Sequence, residues 1–140
     1  MKPIAIVTGG SRGIGRAIVE ELARTHTVVA TYNSNREAAQ VVANATGAVV
    51  LPCQLGDAKS CQDFLAALRS RFEAVDLLVN NAGMAPRERR DILDATPESF
   101  DELFATNLKG PYFITQRIAR GMLRRESGRI IFVGSISSFT

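Results

Sequence analysis

The sequence has no tryptophan, one histidine and two cysteines among 140 residues. A single histidine leaves no material for a multi-histidine metal centre. His26 also has no acidic partner nearby in the chain, so it does not suggest a serine–histidine nucleophile and reads as a solvated turn residue. Cys53 and Cys61 have neither metal-ligand spacing nor a surrounding disulfide framework. They read as reduced thiols of a cytoplasmic protein, and no metal site is expected. No apolar run approaches the ~20 residues a membrane span needs, so no membrane association is expected. The opening "MKPIAIVTGG" is a short strand running into glycines, not a signal peptide. The net charge is only +3, which gives no reason to infer a nucleic-acid partner. The composition, 46% hydrophobic and 22% charged, is that of an ordinary globular domain.

What is present is a regular alternation. Short β-branched runs at 4–8, 27–32, 48–52, 75–83 and 130–133 read as buried strands. Between them, helical spacing runs over 14–25, 36–45 and 60–72, with Gly47 as a stop signal. Thr96 and Pro97 form a helix start, N-cap then first-turn proline, for a helix reaching about Leu123. Continuous apolar strands between helices predict an α/β fold with a parallel sheet covered on both faces. The leading topology is a Rossmann-like doubly wound sheet with five strands in the order 3-2-1-4-5. Residues 1–140 are read as one dinucleotide-binding domain.

The first strand runs into "TGGSRGIG" and then into a helix. A helix N-terminus offers unpaired N–H groups and a positive dipole end, which suit a phosphate. The spacing is G-x-x-x-G-x-G across Gly9, Gly13 and Gly15. This loop, followed later by "NNAG" at 80–83, resembles the short-chain dehydrogenase/reductase family, and within it the 3-oxoacyl-(acyl carrier protein) reductases. The resemblance implies hydride transfer between a nicotinamide dinucleotide and a carbonyl or alcohol carbon. It places Gly9, Ser11, Gly13, Ile14 and Gly15 around the pyrophosphate. Asn81, Ala82 and Gly83 fall along the adenosine ribose side, and Asn80 braces the sheet. Asp57 stands where the family has an adenine-contacting acid, while Gln54 replaces a first acid; Asp57 also reads as an N-cap.

An acid at the end of the second strand would select NAD. The stretch there is "TYNSNRE", with Asn33 and Arg36 but no carboxylate before Glu37. Arg12 lies within the glycine loop. Guanidinium groups hold a 2′-phosphate well, so NADP is expected over NAD.

On the long predicted helix Phe100, Leu103, Phe104, Leu108, Ile114 and Ile118 trace one apolar face, and Asn107 falls on it. Pro111 has no N–H to give the Asn107 carbonyl, so a bend is expected there. The resemblance makes Asn107 a member of the catalytic tetrad. It also makes Ser135, at the tip of "GRIIFVGS", the group that orients the substrate carbonyl. Ser137 and Ser138 lie close by. The family's proton donor is the tyrosine of a Tyr-x-x-x-Lys motif beyond that serine. Neither Tyr32 nor Tyr112 is followed by lysine four residues on. The 140 residues are therefore expected to be the N-terminal part of a longer reductase and inactive alone. The expected substrate is a small molecule or acyl thioester, and the longer parent is expected to be a homo-oligomer. A dinucleotide-binding module without chemistry is the alternative. Arg87, Arg89 and Arg90 read as a solvated loop.

Overall fold

The computed structural model describes residues 1–136. Its elements alternate as β1 (Ile4–Val7), α1 (Gly13–Leu22), β2 (Thr27–Tyr32), α2 (Arg36–Thr46), β3 (Val49–Pro52), α3 (Ala58–Arg69) and β4 (Leu77–Asn80). A loop then leads to α4 (Pro97–Phe104), a π-helical turn at Ala105–Lys109, α5 (Gly110–Arg124) and β5 (Arg129–Phe132). The five strands form one sheet in the order β3-β2-β1-β4-β5, and every neighbouring pair is parallel. This is the predicted Rossmann-like topology. No helix among the described residues is long and apolar enough to cross a membrane.

Strand alternation divides the core in two. Ile6, Val29, Leu51 and Leu78 pack with Phe64, Leu65 and Leu68 of α3 and Ile114, Ile118 and Met122 of α5. Ala5, Val7, Val28, Ala30 and Val79 face the other way, against Val19 of α1 and Val42 of α2. Side chains alternate across a pleated strand, so one short run feeds both layers. Side-chain caps fix the starts of α2 and α4. Asn35 accepts from the Ala38 N–H at 2.9 Å, and Thr96 accepts from the Ser99 N–H at 3.2 Å with Pro97 behind it.

The long helix departs from its expected form. It does not simply bend at Pro111. A π-helical turn spans Ala105–Lys109, and the Gly110 N–H donates to the Ala105 carbonyl five residues back. Such a turn takes in one extra residue and resets the helical phase by about 100°. Downstream, Ile114, Ile118 and Met122 are buried. Upstream, the half-buried residues are Ser99, Glu102, Leu103, Ala105 and Thr106. Ser99, Glu102 and Thr106 lie one position before Phe100, Leu103 and Asn107, which straight α spacing would turn inward. Phe100, Phe104 and Leu108 are therefore exposed, at 56%, 48% and 56%, and Asn107 is exposed with them.

Candidate functional site

A crevice of about 510 Å³ opens along the carboxyl ends of the strands, where doubly wound sheets bind ligands. Each strand from β1 to β4 contributes the segment that follows it. Gly9, Ser11, Arg12, Gly13, Ile14 and Gly15 come after β1, Tyr32 and Asn33 from the end of β2, Cys53 to Gly56 after β3, and Asn81 to Met84 after β4. Of the predicted cofactor residues, Arg36 and Asp57 do not line it. Arg36 is exposed at the first position of α2. The Asp57 carboxylate accepts the Ser60 N–H at 2.8 Å and so caps α3; Gln54 faces the crevice instead.

The glycine loop is held by polar side chains on the strand ends. The buried Thr8 hydroxyl accepts the N–H groups of Asn81 and Ala82 at 3.0 and 3.1 Å. Asn81 returns the connection, its Nδ2 donating to the carbonyls of Thr8 at 3.0 Å and Gly9 at 3.2 Å. On the other side, the buried Thr31 hydroxyl accepts the Gly9 N–H at 3.1 Å. Sequence reasoning passed over Thr8 and Thr31. The available signal was a hydroxyl at the carboxyl end of an otherwise apolar strand, because a polar group buried there needs a partner.

Two glycines are required by this geometry. Gly9 has φ +66°, and a Cβ on it would come within 3.0 Å of Ala82. A Cβ on Gly15 would collide with the Gly9 carbonyl oxygen and lie 2.5 Å from Asn81 Nδ2. The first turn of α1 has no acidic residue and no side-chain cap, so its orphan N–H groups are available to an anion. The uncapped helix end and Arg12 on the crevice wall together fit a dinucleotide pyrophosphate.

Asn107 reaches the same region by its side chain. Its Oδ1 accepts the Met84 N–H and its Nδ2 donates to the Met84 carbonyl, both at 2.8 Å. The π-turn is thus pinned to the segment that follows Gly83. Asn80, which is buried, donates from Nδ2 to the Thr115 hydroxyl at 2.9 Å, joining β4 to α5. Arg87 and Glu102 close the outer side of the crevice through contacts of 2.6 to 3.1 Å. The hydrogen bond from Arg87 holds the Glu102 carboxyl below its usual range. Arg90 pairs with Glu88. Ser135 lies two residues beyond Val133, whose N–H donates to the Asn80 carbonyl at 2.9 Å. It therefore stands at the same end of the sheet but does not line the crevice. Ser137 and Ser138 lie outside the described residues.

The fold agrees with comparison to known proteins. The family model for short chain dehydrogenases matches residues 3–140, and the chain belongs to that family. It is 38% identical to the acetoacetyl-CoA reductase of Rhizobium meliloti (strain 1021), over 98% of this chain and 56% of the relative. A metagenomic short-chain oxidoreductase solved in complex with NADP superposes with a TM-score of 0.89 at 31% identity, over 96% of this chain and 62% of that one. The 3-oxoacyl-[acyl-carrier protein] reductase of Brucella melitensis, solved in complex with NAD, gives 0.84 at 34% identity, over all of this chain and 58% of that one. The chain spans just over half the length of these proteins.

Proposed function

We propose that the chain is the cofactor-binding portion of an NADP(H)-dependent reductase of carbonyl compounds, with 3-oxoacyl thioesters as the substrate class. The observation that carries the cofactor preference is the charge lining the crevice. Arg12 is exposed there without an ion-pair partner among the described residues, and the end of β2 offers Tyr32 and Asn33 but no carboxylate. The substrate class is supported by the similarity to the acetoacetyl-CoA and 3-oxoacyl reductases.

When bound, the nicotinamide supplies a hydride to the carbonyl carbon. The chain's own groups bind and orient. The α1 N-terminus and Arg12 hold phosphates, and Asn81 holds the Gly9 carbonyl in its close approach to Gly15. Asn107 fixes the segment after Gly83 through Met84. Ser135 donates a hydrogen bond to the reacting oxygen in the productive complex.

Titration with both cofactors tests the preference. NADPH is expected to bind about tenfold or more tightly than NADH, since one charge-assisted hydrogen bond contributes roughly 1.5–3 kcal/mol. Arg12→Gln is expected to remove most of that margin. Equal affinities in the parent chain would overturn the NADP assignment.

The exposed stripe on α4 and α5 supports self-association of the longer protein. Phe100 stacks on Phe104 with centroids 4.2 Å apart, and Leu108 and the 60% exposed Tyr112 extend the patch. Sedimentation of a longer polypeptide containing this chain should show a dimer or larger species that Phe104→Glu dissociates. A monomeric parent protein at micromolar concentration would rule the interface out.

A further inference from the structure

We infer that the hollow between α3 and α5 is an anion site for a compact polyphosphate, separate from the crevice and at the opposite end of the sheet. The hollow has a volume of about 480 Å³, within the range of small-ligand sites. Phe72 and Val75 on its wall precede β4, and Arg124 and Arg125 precede β5. It therefore lies at the amino ends of these strands. Among the described residues it shares no lining residue with the crevice, so a ligand here is independent of the dinucleotide proposed there.

Five arginines line the hollow, Arg69 from α3 and Arg117, Arg120, Arg124 and Arg125 from α5 and its C-cap. They face one lining carboxylate, that of Glu73. The whole chain carries a net charge of only +3, so cations are concentrated at this place. Arg125 is already engaged. It donates to the Val75 carbonyl at 2.8 Å, and its Nη2 lies 3.7 Å from Asp76 Oδ1. The other four form no ion pair among the described residues. The helix dipoles account for part of this, because Arg69 and Arg124 stand in the last turns of α3 and α5, where a cation is favoured. Arg117 and Arg120 stand before the last turn. Arg117 and Arg120 are three residues apart on α5, and Arg120 and Arg124 four, spacings at which like charges weaken a helix. Helix stability alone disfavours this pattern, and a bound polyanion reverses its sign.

The shape selects among anions. The guanidinium groups converge on one hollow from two helices, and the planar fork of arginine can hold two oxygens of one phosphate. A nucleic acid is better met by a track of charge along a surface. An acidic helix, about 10–12 Å across, is too wide to enter. At roughly 1.5–2 negative charges for a terminal phosphate, a di- or triphosphate comes close to matching the four unpaired arginines. Buried Leu68 and Ile118 and half-buried Phe72 form apolar wall, and low-dielectric walls focus the field of the charges around them. Gly121 leaves the hollow open, since a Cβ there would find only Arg125 Nη1 at 3.6 Å.

The probe is inorganic tripolyphosphate, titrated into the 140-residue chain at physiological ionic strength. It should bind and raise the melting temperature. Arg117→Gln combined with Arg120→Gln should weaken binding about tenfold or more, the loss expected for charge-assisted hydrogen bonds. Without ligand, that double variant should melt at or above the parent temperature, because its like-charge pairs are gone. Arg12→Gln combined with Arg36→Gln removes the same charge at the crevice end and should leave tripolyphosphate affinity nearly unchanged. Equal losses in the two double variants, a loss only in the crevice variant, or no binding to the folded chain would each overturn the site. Tighter binding of an oligoglutamate or an oligonucleotide of equal charge would overturn its polyphosphate chemistry. ATP titrated alongside distinguishes a nucleotide from the free phosphate chain, and binding of either that depends on Arg117 and Arg120 supports the site. NADPH titration of the Arg117, Arg120 variant reads the crevice separately and should match the parent; a fall there would overturn the independence of the two sites. Tripolyphosphate binding with no NADPH binding to either protein would leave this site standing and defeat the dinucleotide assignment.

Discussion

A polypeptide of residues 1–140 should reduce an acetoacetyl thioester with NADPH about 10²–10⁴-fold more slowly than one extended through a Tyr-x-x-x-Lys segment, the loss typical of a positioned general acid. Hydride transfer leaves charge on the carbonyl oxygen, and a proton must arrive as that charge develops. Ser135 can donate a hydrogen bond, but a serine hydroxyl is too weak an acid to give up its proton near neutral pH. The two tyrosines cannot stand in. Tyr112 is exposed on the outer side of α5, edge-on to Phe113 with centroids 5.1 Å apart. Tyr32 lies at the end of β2, on the part of the crevice assigned to the adenosine side, and the residue four positions on is Arg36. NADPH oxidation measured on both polypeptides decides the matter. Similar turnover would mean that a group within these residues supplies the proton, and the supporting role given to Ser135 would have to be withdrawn.

Gly15→Ala should cost more than its single methyl suggests. The new carbon meets the Gly9 carbonyl and Asn81 Nδ2 at once, and both are backed by the hydrogen bonds that tie the loop to β4. Overpacking against fixed neighbours typically costs about 1–3 kcal/mol, a large share of the ~5–15 kcal/mol that holds a domain folded. Dinucleotide binding should fall by at least tenfold, because the loop can admit the methyl only by moving away from Asn81. Gly121→Ala is the control. It lies within α5, where the added carbon finds only Arg125 Nη1 at 3.6 Å, and helix propensity predicts a gain of up to about 1 kcal/mol. Thermal melts of the two variants should therefore move in opposite directions, and only Gly15→Ala should change the titration. If Gly15→Ala melts and binds like the parent, the close approach of α1 to Asn81 is not what shapes the loop.

Much of the fold was legible because period and punctuation agree. "IAIVT" and "TVVATY" are too short and too β-branched for helices, and each is followed by turn residues or glycine. The crevice was legible for a similar reason: a glycine loop between a strand and a helix can face only one end of a parallel sheet. Helical phase was harder to read. Pro111 marked the irregularity, but nothing in the composition of "ATNLKG" distinguishes a bend from an extra residue in the turn. That difference moved Phe100, Phe104 and Asn107 from the expected inner face to the outer one. Asp57 was ambiguous from the start, since one carboxylate can cap α3 or contact a base, and the geometry uses it as a cap. Arg36 and Ser135 occupy their expected elements, yet side-chain direction at a helix start or beyond a strand tip is not encoded in spacing.

The hydrogen bonds that join Thr8 and Gly9 to Asn81 and Ala82 span 72 to 74 residues of chain, and this sets an order of events in folding. β1 is the central strand, yet it is made first and must wait for one of its two neighbours. β2 and β3 follow closely and can pair with it early, because the loops they close are short. β4 leaves the ribosome later by about 4–15 seconds, at 5–20 residues per second. Until β4 docks, the glycine loop has no Asn81 to restrain it and the Thr8 hydroxyl has no amides to receive. The half-sheet β3-β2-β1 is therefore expected to form before the crevice, and the proposed ligand capacity to arise with the closure of the β1–β4 pair. A nascent chain stalled before residue 77 would carry every glycine of the loop and still have no site.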